Sequence, residues 1–279
     1  MLKIGIAAGN YVNADGSTDT ARLRRYGYGC VDYGRLCSTR GDLYTLAEEQ
    51  ALTLLRQEGD ALRREGILPW QVHGPWPYDD TTEEGRAAKW AHCLRAVKGT
   101  AALGSSYLIM HPVMPYGFGG PEDADKAEEM NEAFFRELCA FALPHGVTVC
   151  LENMPFKAQR ISPVERIAAF VERLSLPNLA ICLDTGHANM YRGDMGDYVR
   201  CCGRHLKALH VHDNNTRDDA HAIPYVGSVN WEHFKEGLRD VGFDGCLSLE
   251  CNVRQDYPPH LAEEMHRTIA RVAAYLADI

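Results

Sequence analysis

Six ionisable side chains end six successive apolar segments of the chain, each a few tens of residues after the one before. They are His73, His111, Glu152, Asp184, His210 and Glu250. Carboxylate and imidazole groups together suit a hard or borderline divalent ion such as Mn²⁺, Co²⁺, Mg²⁺ or Zn²⁺. Carboxylates that face each other in a cavity repel unless a cation neutralises them. The residue types therefore predict a divalent metal ion held by protein side chains.

The segments that these residues end resemble buried β-strands, and amphipathic helical segments lie between them. Eight strands are predicted, at Lys3–Ala8, Gly29–Tyr33, Leu68–His73, Tyr107–His111, Thr148–Glu152, Ala180–Asp184, Ala208–His212 and Cys246–Glu250. Alternating strands and helices are typical of a parallel sheet, and eight units in order favour closure into a (β/α)₈ TIM barrel. We predict one such barrel domain over residues 1–279.

Two features of this fold prediction leave alternatives open. An open doubly wound sheet is the alternative, but no G-x-G-x-x-G or P-loop pattern follows an early strand. Residues Asn10–Tyr28 fit either a helix or a loop that folds over the barrel mouth.

A parallel barrel brings the carboxyl ends of its strands together at one face, where the active sites of such barrels lie. Alternate side chains of a strand point the same way, so Cys150 shares the direction of Glu152, whereas Val149 and Leu151 point oppositely. The three later strands that end in Asp184, in His210 or in Glu250 alternate in the same manner. The pattern predicts ionisable groups aimed at the barrel axis and aliphatic groups aimed at the helices.

Composition narrows the class of protein. The chain has 279 residues, of which 46% are hydrophobic and 24% charged, and a formal charge of −9. This balance disfavours a nucleic-acid partner, because affinity for phosphates comes from Lys and Arg. No apolar stretch approaches the ~18 residues of a membrane span, and the first residues read as a strand rather than a signal peptide. The sequence predicts a soluble, cytoplasmic protein with no membrane partner.

Four motifs carry a resemblance to a known family. They are Leu151-Glu152-Asn153-Met154-Pro155, Leu183-Asp184-Thr185-Gly186-His187-Ala188, His210-Val211-His212-Asp213-Asn214 and Ser248-Leu249-Glu250. Together they resemble the xylose isomerase-like TIM barrel superfamily, which includes sugar and sugar-phosphate isomerases and epimerases and also apurinic-site endonucleases. The similarity extends from about His73 to Glu250, and the Asp-Thr-Gly-His string is its most specific part.

The resemblance to ketose epimerases implies roles for individual residues. It implies a metal ion held by Glu152, Asp184, His210 and Glu250. The two glutamates would also be the catalytic acid/base pair, transferring a proton through a metal-stabilised enediolate. His187, Arg217, His73 and His111 would bind the substrate. The chain departs from the ketose 3-epimerase pattern at Ala158, where those enzymes carry a glutamate, so the particular sugar stays open.

The endonuclease branch of the superfamily implies a second function. That branch binds three zinc ions, and the chain offers further candidate ligands in His73, His111, His187, Asp219 and His221. The alternatives to a sugar isomerase or epimerase are thus a zinc-dependent phosphodiesterase and a non-catalytic carbohydrate-binding barrel. The Asp-Thr-Gly-His string, and the lack of an obvious basic and aromatic loop for reading DNA, favour a small carbohydrate partner.

Three further expectations concern the surroundings of the site. No Gly-rich phosphate cradle stands out after the seventh or eighth strand, which favours an unphosphorylated substrate. Trp76, Phe118 and Trp231 are interpreted as packing residues, and His212 as a neighbour of the site. The resemblance also implies a homo-oligomer, since relatives are often dimers or tetramers.

Overall fold

Short apolar strands alternate with longer helices along the whole chain. The computed structural model describes residues 1–13, 16–120, 122–254 and 256–279. The strands are β1 Lys3–Ala7, β2 Cys30–Tyr33, β3 Leu68–His73, β4 Tyr107–Met110, β5 Thr148–Glu152, β6 Leu179–Asp184, β7 Leu206–His210 and β8 Cys246–Leu249. Each strand matches one of the eight predicted from the sequence.

The helices follow the strands in the order expected of βα units. The α-helices are α1 Thr20–Tyr26, α2 Asp42–Thr45, α3 Glu48–Arg64, α4 Glu83–Leu103, α5 Ala124–Ala142, α6 Val164–Leu174, α7 Thr185–Asn189, α8 Met195–Cys202, α9 Trp231–Asp240 and α10 Pro259–Ala277. Single 3₁₀ turns lie at Ala8–Asn10, Leu143–His145 and Gly203–His205.

The eight strands pair in parallel in the order β7-β6-β5-β4-β3-β2-β1-β8. The remaining seam, between β7 and β8, is joined just beyond the end of β7. There the Val211 N–H donates to the Ser248 carbonyl over 2.8 Å, and the Glu250 N–H donates to the Val211 carbonyl over 3.0 Å. These bonds all but close the sheet, confirming the predicted (β/α)₈ barrel rather than an open doubly wound sheet.

Apolar side chains form two separate layers. Outward-facing strand residues such as Val149 and Leu151 pack with the helices in the large core. A small cluster that includes Cys150, Cys182 and Ala208 fills the barrel interior. The alternation predicted from the sequence therefore occurs in the structure, and it sends the residues two positions further along each strand to the carboxyl-terminal mouth.

Several strands differ from their predicted bounds by one or two residues. The largest shift is in β7, which begins at Leu206 and ends at His210, two residues earlier than predicted at each end. As a result His212 lies beyond the strand, on the loop that crosses the mouth. His111 and Glu250 likewise follow the last residues of β4 and β8.

The segment Asn10–Tyr28 combines both of the structures considered for it. Residues Thr20–Tyr26 form α1, whose Tyr26 hydroxyl donates to Glu263 of α10 on the outside of the barrel. The preceding 3₁₀ turn instead places Asn10 at the mouth. Positions 14 and 15 of this segment lie outside the described residues.

No helix in the described ranges combines the length and the apolar composition needed to cross a membrane.

The close approach of α3 and α4 depends on a glycine. A Cβ atom on Gly59 would lie 2.0 Å from the Leu103 carbonyl oxygen. We expect Gly59→Ala to lower the free energy of unfolding by about 1–3 kcal/mol, because the helices must separate. Denaturant unfolding of the variant tests this. Gly29→Ala is the matched control, since its added Cβ would meet no atom within 4 Å. Equal stability of the two variants would contradict the tight packing.

Candidate metal centre

Glu152 lies at the centre of the ionisable cluster. It is the last residue of β5 and is buried. One carboxylate oxygen, Oε1, is 3.1 Å from Nδ1 of His210, and the other, Oε2, is 3.1 Å from Nε2 of His111. Burial opposes ionisation, but His210 and His111 outweigh it and hold the pKa of Glu152 well below its usual range. Glu152 is therefore a buried carboxylate whose charge depends on the imidazoles beside it.

Three carboxylates converge on one nitrogen atom. Nδ1 of His210 lies 3.1 Å from Glu152 Oε1, 3.4 Å from Glu250 Oε2 and 3.9 Å from Asp184 Oδ2. Donor atoms that share an ion at ~2.1 Å are typically about 3–3.5 Å apart. The nearest two carboxylates thus approach His210 Nδ1 at a spacing close to that of a common ion, whereas no group of three mutually close donors in the described residues contains more than two of the four predicted ligands.

Asp184 is held in position by two kinds of contact. It precedes α7, and its Oδ1 accepts the His187 N–H over 2.7 Å as the N-cap of that helix. The Asn153 side chain clamps its backbone, accepting the Asp184 N–H over 2.8 Å and donating to the Asp184 carbonyl over 2.9 Å. Nε2 of His212 lies 3.1 Å from its carboxylate. Burial would raise the pKa of Asp184, but His187 and His212 lower it.

Backbone carbonyls fix the ring orientation of two further histidines. Nδ1 of His187 donates to the Asn153 carbonyl over 2.9 Å, and Nδ1 of His221 donates to the Glu250 carbonyl over 2.8 Å. In both rings Nε2 then faces the same oxygen, Asp219 Oδ2, at 3.2 Å and 3.3 Å. A neutral imidazole that donates from Nδ1 has a lone pair on Nε2. Two lone pairs and a carboxylate facing each other require a proton or a metal ion between them.

The electrostatics of these rings agree with this arrangement. Burial lowers the pKa of His187, but Asp184, Asp219 and Glu152 overcome it and raise the pKa to about 10. For His221 the carboxylate of Asp219 likewise outweighs burial and raises the pKa to about 9. His111 differs, because burial prevails and lowers its pKa to about 4. The site as a whole attracts positive charge.

The loop that carries Asp219 and His221 is organised by a buried carboxylate. Asp213 accepts the backbone N–H groups of Tyr225 and Gly227 and the indole N–H of Trp231 over 3.0, 3.0 and 2.9 Å. These bonds fold the loop between β7 and α9 back over the mouth. They also account for Trp231, which packs in the core as predicted.

A cavity of about 290 Å³ adjoins the cluster on the side of β1, β2 and β8. Glu250, His73 and His221 line it together with Asn10 and Asn252. Glu250 differs from Glu152 in exposure, since 22% of its side chain is accessible and only 2% of that of Glu152. One glutamate of the predicted pair therefore faces the cavity and the other lies beneath it.

The described residues form five groups of three donors whose ligand atoms lie within 4.8 Å of one another. The groups are His73-His210-Glu250, His73-His111-Glu152, Glu152-Cys182-His210, Asp184-His187-His212 and His212-Asp219-His221. All nine candidate ligands named from the sequence belong to at least one group. Their roles as ligands stay a prediction.

Arg217 is the one candidate site residue outside this cluster. It lies on the loop after β7, its side chain is exposed, and its backbone N–H donates to Asn215 over 3.0 Å. Its role in substrate binding also stays a prediction. Trp76 and Phe118, interpreted as packing residues, contact each other at the mouth with ring centroids 5.4 Å apart, and Trp76 lies beside His111.

Sequence reasoning did not find four residues that shape the site. They are Asp32, Gln71, Asn153 and Asp213. Asp32 is a charged residue inside a buried strand, two positions after Cys30, and Gln71 is two positions before His73. Both side chains therefore point toward the barrel axis. Their place in the alternation of the strand was the signal that the sequence offered. Asn153 and Asp213 had no such signal, because most of their partners are backbone groups.

A model of the family described as xylose isomerase-like TIM barrel matches residues 20–272 of the chain. The chain belongs to this family. Three relatives of this xylose isomerase-like barrel illustrate the similarity. An uncharacterized protein of Methanocaldococcus jannaschii is 30% identical over 166 residues, which cover 57% of this chain and 55% of that protein. A D-psicose 3-epimerase of Ruminiclostridium cellulolyticum is 30% identical over 120 residues, covering 43% of this chain and 39% of that enzyme.

The third relative is matched over more of its length. It is a D-psicose 3-epimerase of Enterocloster bolteae, 26% identical over 249 residues, with 82% of this chain and 78% of that enzyme covered. This chain thus spans 55% and 39% of the length of the first two relatives and 78% of the length of the third. These D-psicose 3-epimerases are sugar epimerases.

Solved structures agree on the fold. A D-psicose 3-epimerase with D-tagatose, from Clostridium cellulolyticum H10, superposes with a TM-score of 0.81 at 18% identity over 100% of both chains. A D-tagatose 3-epimerase-like protein gives 0.77 at 21% identity, covering 99% of this chain and 98% of that one.

The glycine of the Asp-Thr-Gly-His string is required by the ring of His212. A Cβ atom on Gly186 would lie 1.9 Å from His212 Cε1, and that ring is buried and stacked on His221 with centroids 4.1 Å apart. We expect Gly186→Ala to displace the ring and to lower the affinity for Zn²⁺ or Mn²⁺ by about 10-fold or more. Calorimetric titration of the metal-free protein measures this.

The control for this prediction is Gly119→Ala, because a Cβ at Gly119 would meet no atom within 4 Å. An unchanged dissociation constant for Gly186→Ala, with the fold intact, would show that the His212 ring does not support metal binding.

Proposed function

We propose that this protein is a divalent-metal-dependent isomerase or epimerase of a small carbohydrate. The observation that carries the proposal is the convergence of Glu152, Asp184 and Glu250 on Nδ1 of His210, beside a cavity large enough for a monosaccharide. The sugar epimerases among its relatives support it. The donor set suits Mn²⁺, Co²⁺, Mg²⁺ or Zn²⁺.

The residues present fit a metal ion on physical grounds. Glu152 and Asp184 are buried, and buried carboxylates are costly unless a cation compensates them. Of the four groups, only His210 brings a nitrogen ligand, and its Nδ1 faces all three carboxylates. When bound, the ion would polarise a substrate carbonyl as a Lewis acid and favour the enediolate that forms on loss of the neighbouring proton.

The two glutamates supply the proton transfer. Glu250 lines the cavity, and Glu152 is buried beneath it, where His111 and His210 contact its carboxylate. One carboxylate would remove the proton α to the carbonyl, and the other would return it at the opposite face or the neighbouring carbon. His187, with its Nε2 turned to the mouth, and Arg217, on the loop above, would bind substrate oxygens. His73 and His111 would flank the carbonyl end.

The cavity favours an uncharged substrate. Its lining contains Asn10, Cys37, His73, Asn252 and two carboxylates but neither Lys nor Arg. A phosphate group is usually held by Arg, Lys or a helix N-terminus. The substrate of the proposed reaction is therefore an unphosphorylated hydroxy-carbonyl sugar. Ala158, where ketose 3-epimerases carry a glutamate, distinguishes the site from those enzymes.

A second candidate function has an observation of its own. Nε2 of His187 and Nε2 of His221 converge on Asp219, a carboxylate that is not among the three around Nδ1 of His210. A site with more than one cation is what a zinc-dependent phosphodiesterase would need. We keep that activity as the alternative to sugar isomerisation, and a carbohydrate-binding barrel without catalysis as the third.

Metal stoichiometry separates the two metal-dependent functions. We expect Zn²⁺ titration to show a tight site and a weaker second one, with His221→Asn removing the second and leaving the tight site. The control is His233→Asn, whose ring pairs with Asp194 on the surface. If His221→Asn abolishes phosphodiester cleavage by a protein that exchanges no sugar proton, the alternative function is correct.

The proposed chemistry predicts exchange of a carbon-bound proton with solvent. In deuterated water, with Mn²⁺ or Co²⁺ supplied, we expect small ketoses to gain deuterium α to the carbonyl. Glu152→Gln and Glu250→Gln should each slow the exchange by at least about 100-fold, because a carboxamide cannot accept the proton. Mass spectrometry or NMR measures the exchange.

The control for this experiment is Glu165→Gln, in the first turn of α6 and away from the cavity. If the protein binds a sugar without exchanging its protons, and if both glutamate variants bind that sugar equally well, the protein is the non-catalytic carbohydrate-binding barrel instead.

A further inference from the structure

A buried carboxylate contacts His210 from the side opposite to the metal ligands. Oδ2 of Asp32, on β2, lies 2.7 Å from Nε2 of His210, on β7. The same oxygen accepts a hydrogen bond from Nε2 of Gln71, on β3, over 3.1 Å. Gln71 also donates to the Leu209 carbonyl over 3.1 Å, beside His210 in the chain. All three side chains are at most 2% exposed. Three strands are thus linked across the barrel interior.

The direction of this contact determines the tautomer of His210. An ionised carboxylate only accepts hydrogen bonds, so Nε2 of His210 must carry the hydrogen. In the neutral ring Nδ1 then has a free lone pair, and Nδ1 is the atom on which Glu152, Asp184 and Glu250 converge. Without a partner at Nε2 the ring could place its hydrogen on either nitrogen or rotate.

A role in packing alone does not account for Asp32. Its second oxygen, Oδ1, is buried and has no hydrogen-bond partner within the described ranges of the chain. A buried unpartnered carboxylate oxygen destabilises a fold. Nor does Asp32 belong to the converging set, because the imidazole ring stands between it and the three carboxylates. Its close polar partners are His210 and Gln71.

We propose that Asp32 is a positioning residue that acts through His210, fixing the ring in the tautomer whose Nδ1 binds the metal, with Gln71 holding the Asp32 carboxylate. The inference rests on the proposed metal site and extends it to two residues outside the donor set. A carboxylate that accepts from the far nitrogen of a ligating imidazole orients the ring and makes it a stronger ligand. Loss of such a partner typically weakens metal binding by about 10–100-fold.

A double-mutant cycle on metal affinity tests whether Asp32 acts through His210. The metal-free wild type, Asp32→Asn, His210→Ala and the double variant are titrated with Zn²⁺ in a calorimeter, and folding is checked by circular dichroism. We expect Asp32→Asn to weaken binding by about 10–100-fold in the wild type and to have little further effect in His210→Ala. Equal losses in both backgrounds would overturn the proposal, as would a wild type that binds no Zn²⁺.

The matched control is Glu58→Gln. Glu58 is a partly buried carboxylate beside β2 that accepts the hydroxyl of Tyr33 over 2.5 Å, and it contacts no predicted ligand. Its variant should bind Zn²⁺ like the wild type. A loss of affinity equal to that of Asp32→Asn would indicate a general effect of charge near β2 and contradict a specific one.

A measurement on the unaltered protein keeps the proposal testable if Asp32→Asn does not fold. Long-range ¹H–¹⁵N NMR of ¹⁵N-histidine protein loaded with Zn²⁺ should show His210 with hydrogen on Nε2 and metal on Nδ1. Metal on Nε2 would overturn the inference. Neither experiment uses a sugar, so failure of the proposed isomerase activity would leave this result intact and distinguishable.

Discussion

The concentration of buried negative charge at the barrel mouth is the constraint from which the rest of the site follows. Glu152 and Asp184 are buried, and Glu250 and Asp219 are close by. Carboxylates so placed repel one another and lose the stabilisation that water would give them. The fold compensates by surrounding them with imidazoles, which are neutral ligands or cations as required. The proposed divalent ion would be a compensating charge that also leaves those imidazoles free to coordinate.

A cluster of this kind needs rigid support, because the same charges that attract a metal ion would otherwise push the side chains apart. The supporting contacts come mainly from groups that cannot move independently of the barrel. Asn153 clamps the backbone at Asp184, the carbonyls of Asn153 and Glu250 orient His187 and His221, and Asp213 folds the loop of Asp219. Each support joins neighbouring strands or the loops that follow them. The geometry of the site is therefore a property of the closed sheet.

The sequence predicted the barrel and the cluster because both depend on local patterns. Apolar strands with period two are visible in one chain, and parallel closure then brings their ends together whatever lies between. The end of β7 was harder to predict, since His212 continues the alternation although β7 ends at His210 and Val211 pairs with β8 through an isolated bridge. The alternation of their strands shows that Asp32 and Gln71 point inward. It does not show which residue they contact, because His210 lies across the barrel. Contacts of that kind depend on tertiary geometry, which no spacing in the sequence reveals.

The same donors could serve proton transfer or phosphodiester cleavage, so the reaction must be decided by what surrounds them. A phosphodiesterase has to bring an anion to a centre that is already rich in carboxylates, and it needs fixed cationic groups to do so. Here the cavity beside Glu250 is lined by amides, a thiol, imidazoles and carboxylates, whereas Arg217 stands exposed on the loop above. Such a lining has no guanidinium or ammonium group among the described residues to hold a phosphate, and it offers hydrogen bonds to hydroxyl groups. The lining that the loops after β1, β2 and β8 contribute, more than the predicted ligands, is what supports the proposed neutral sugar substrate.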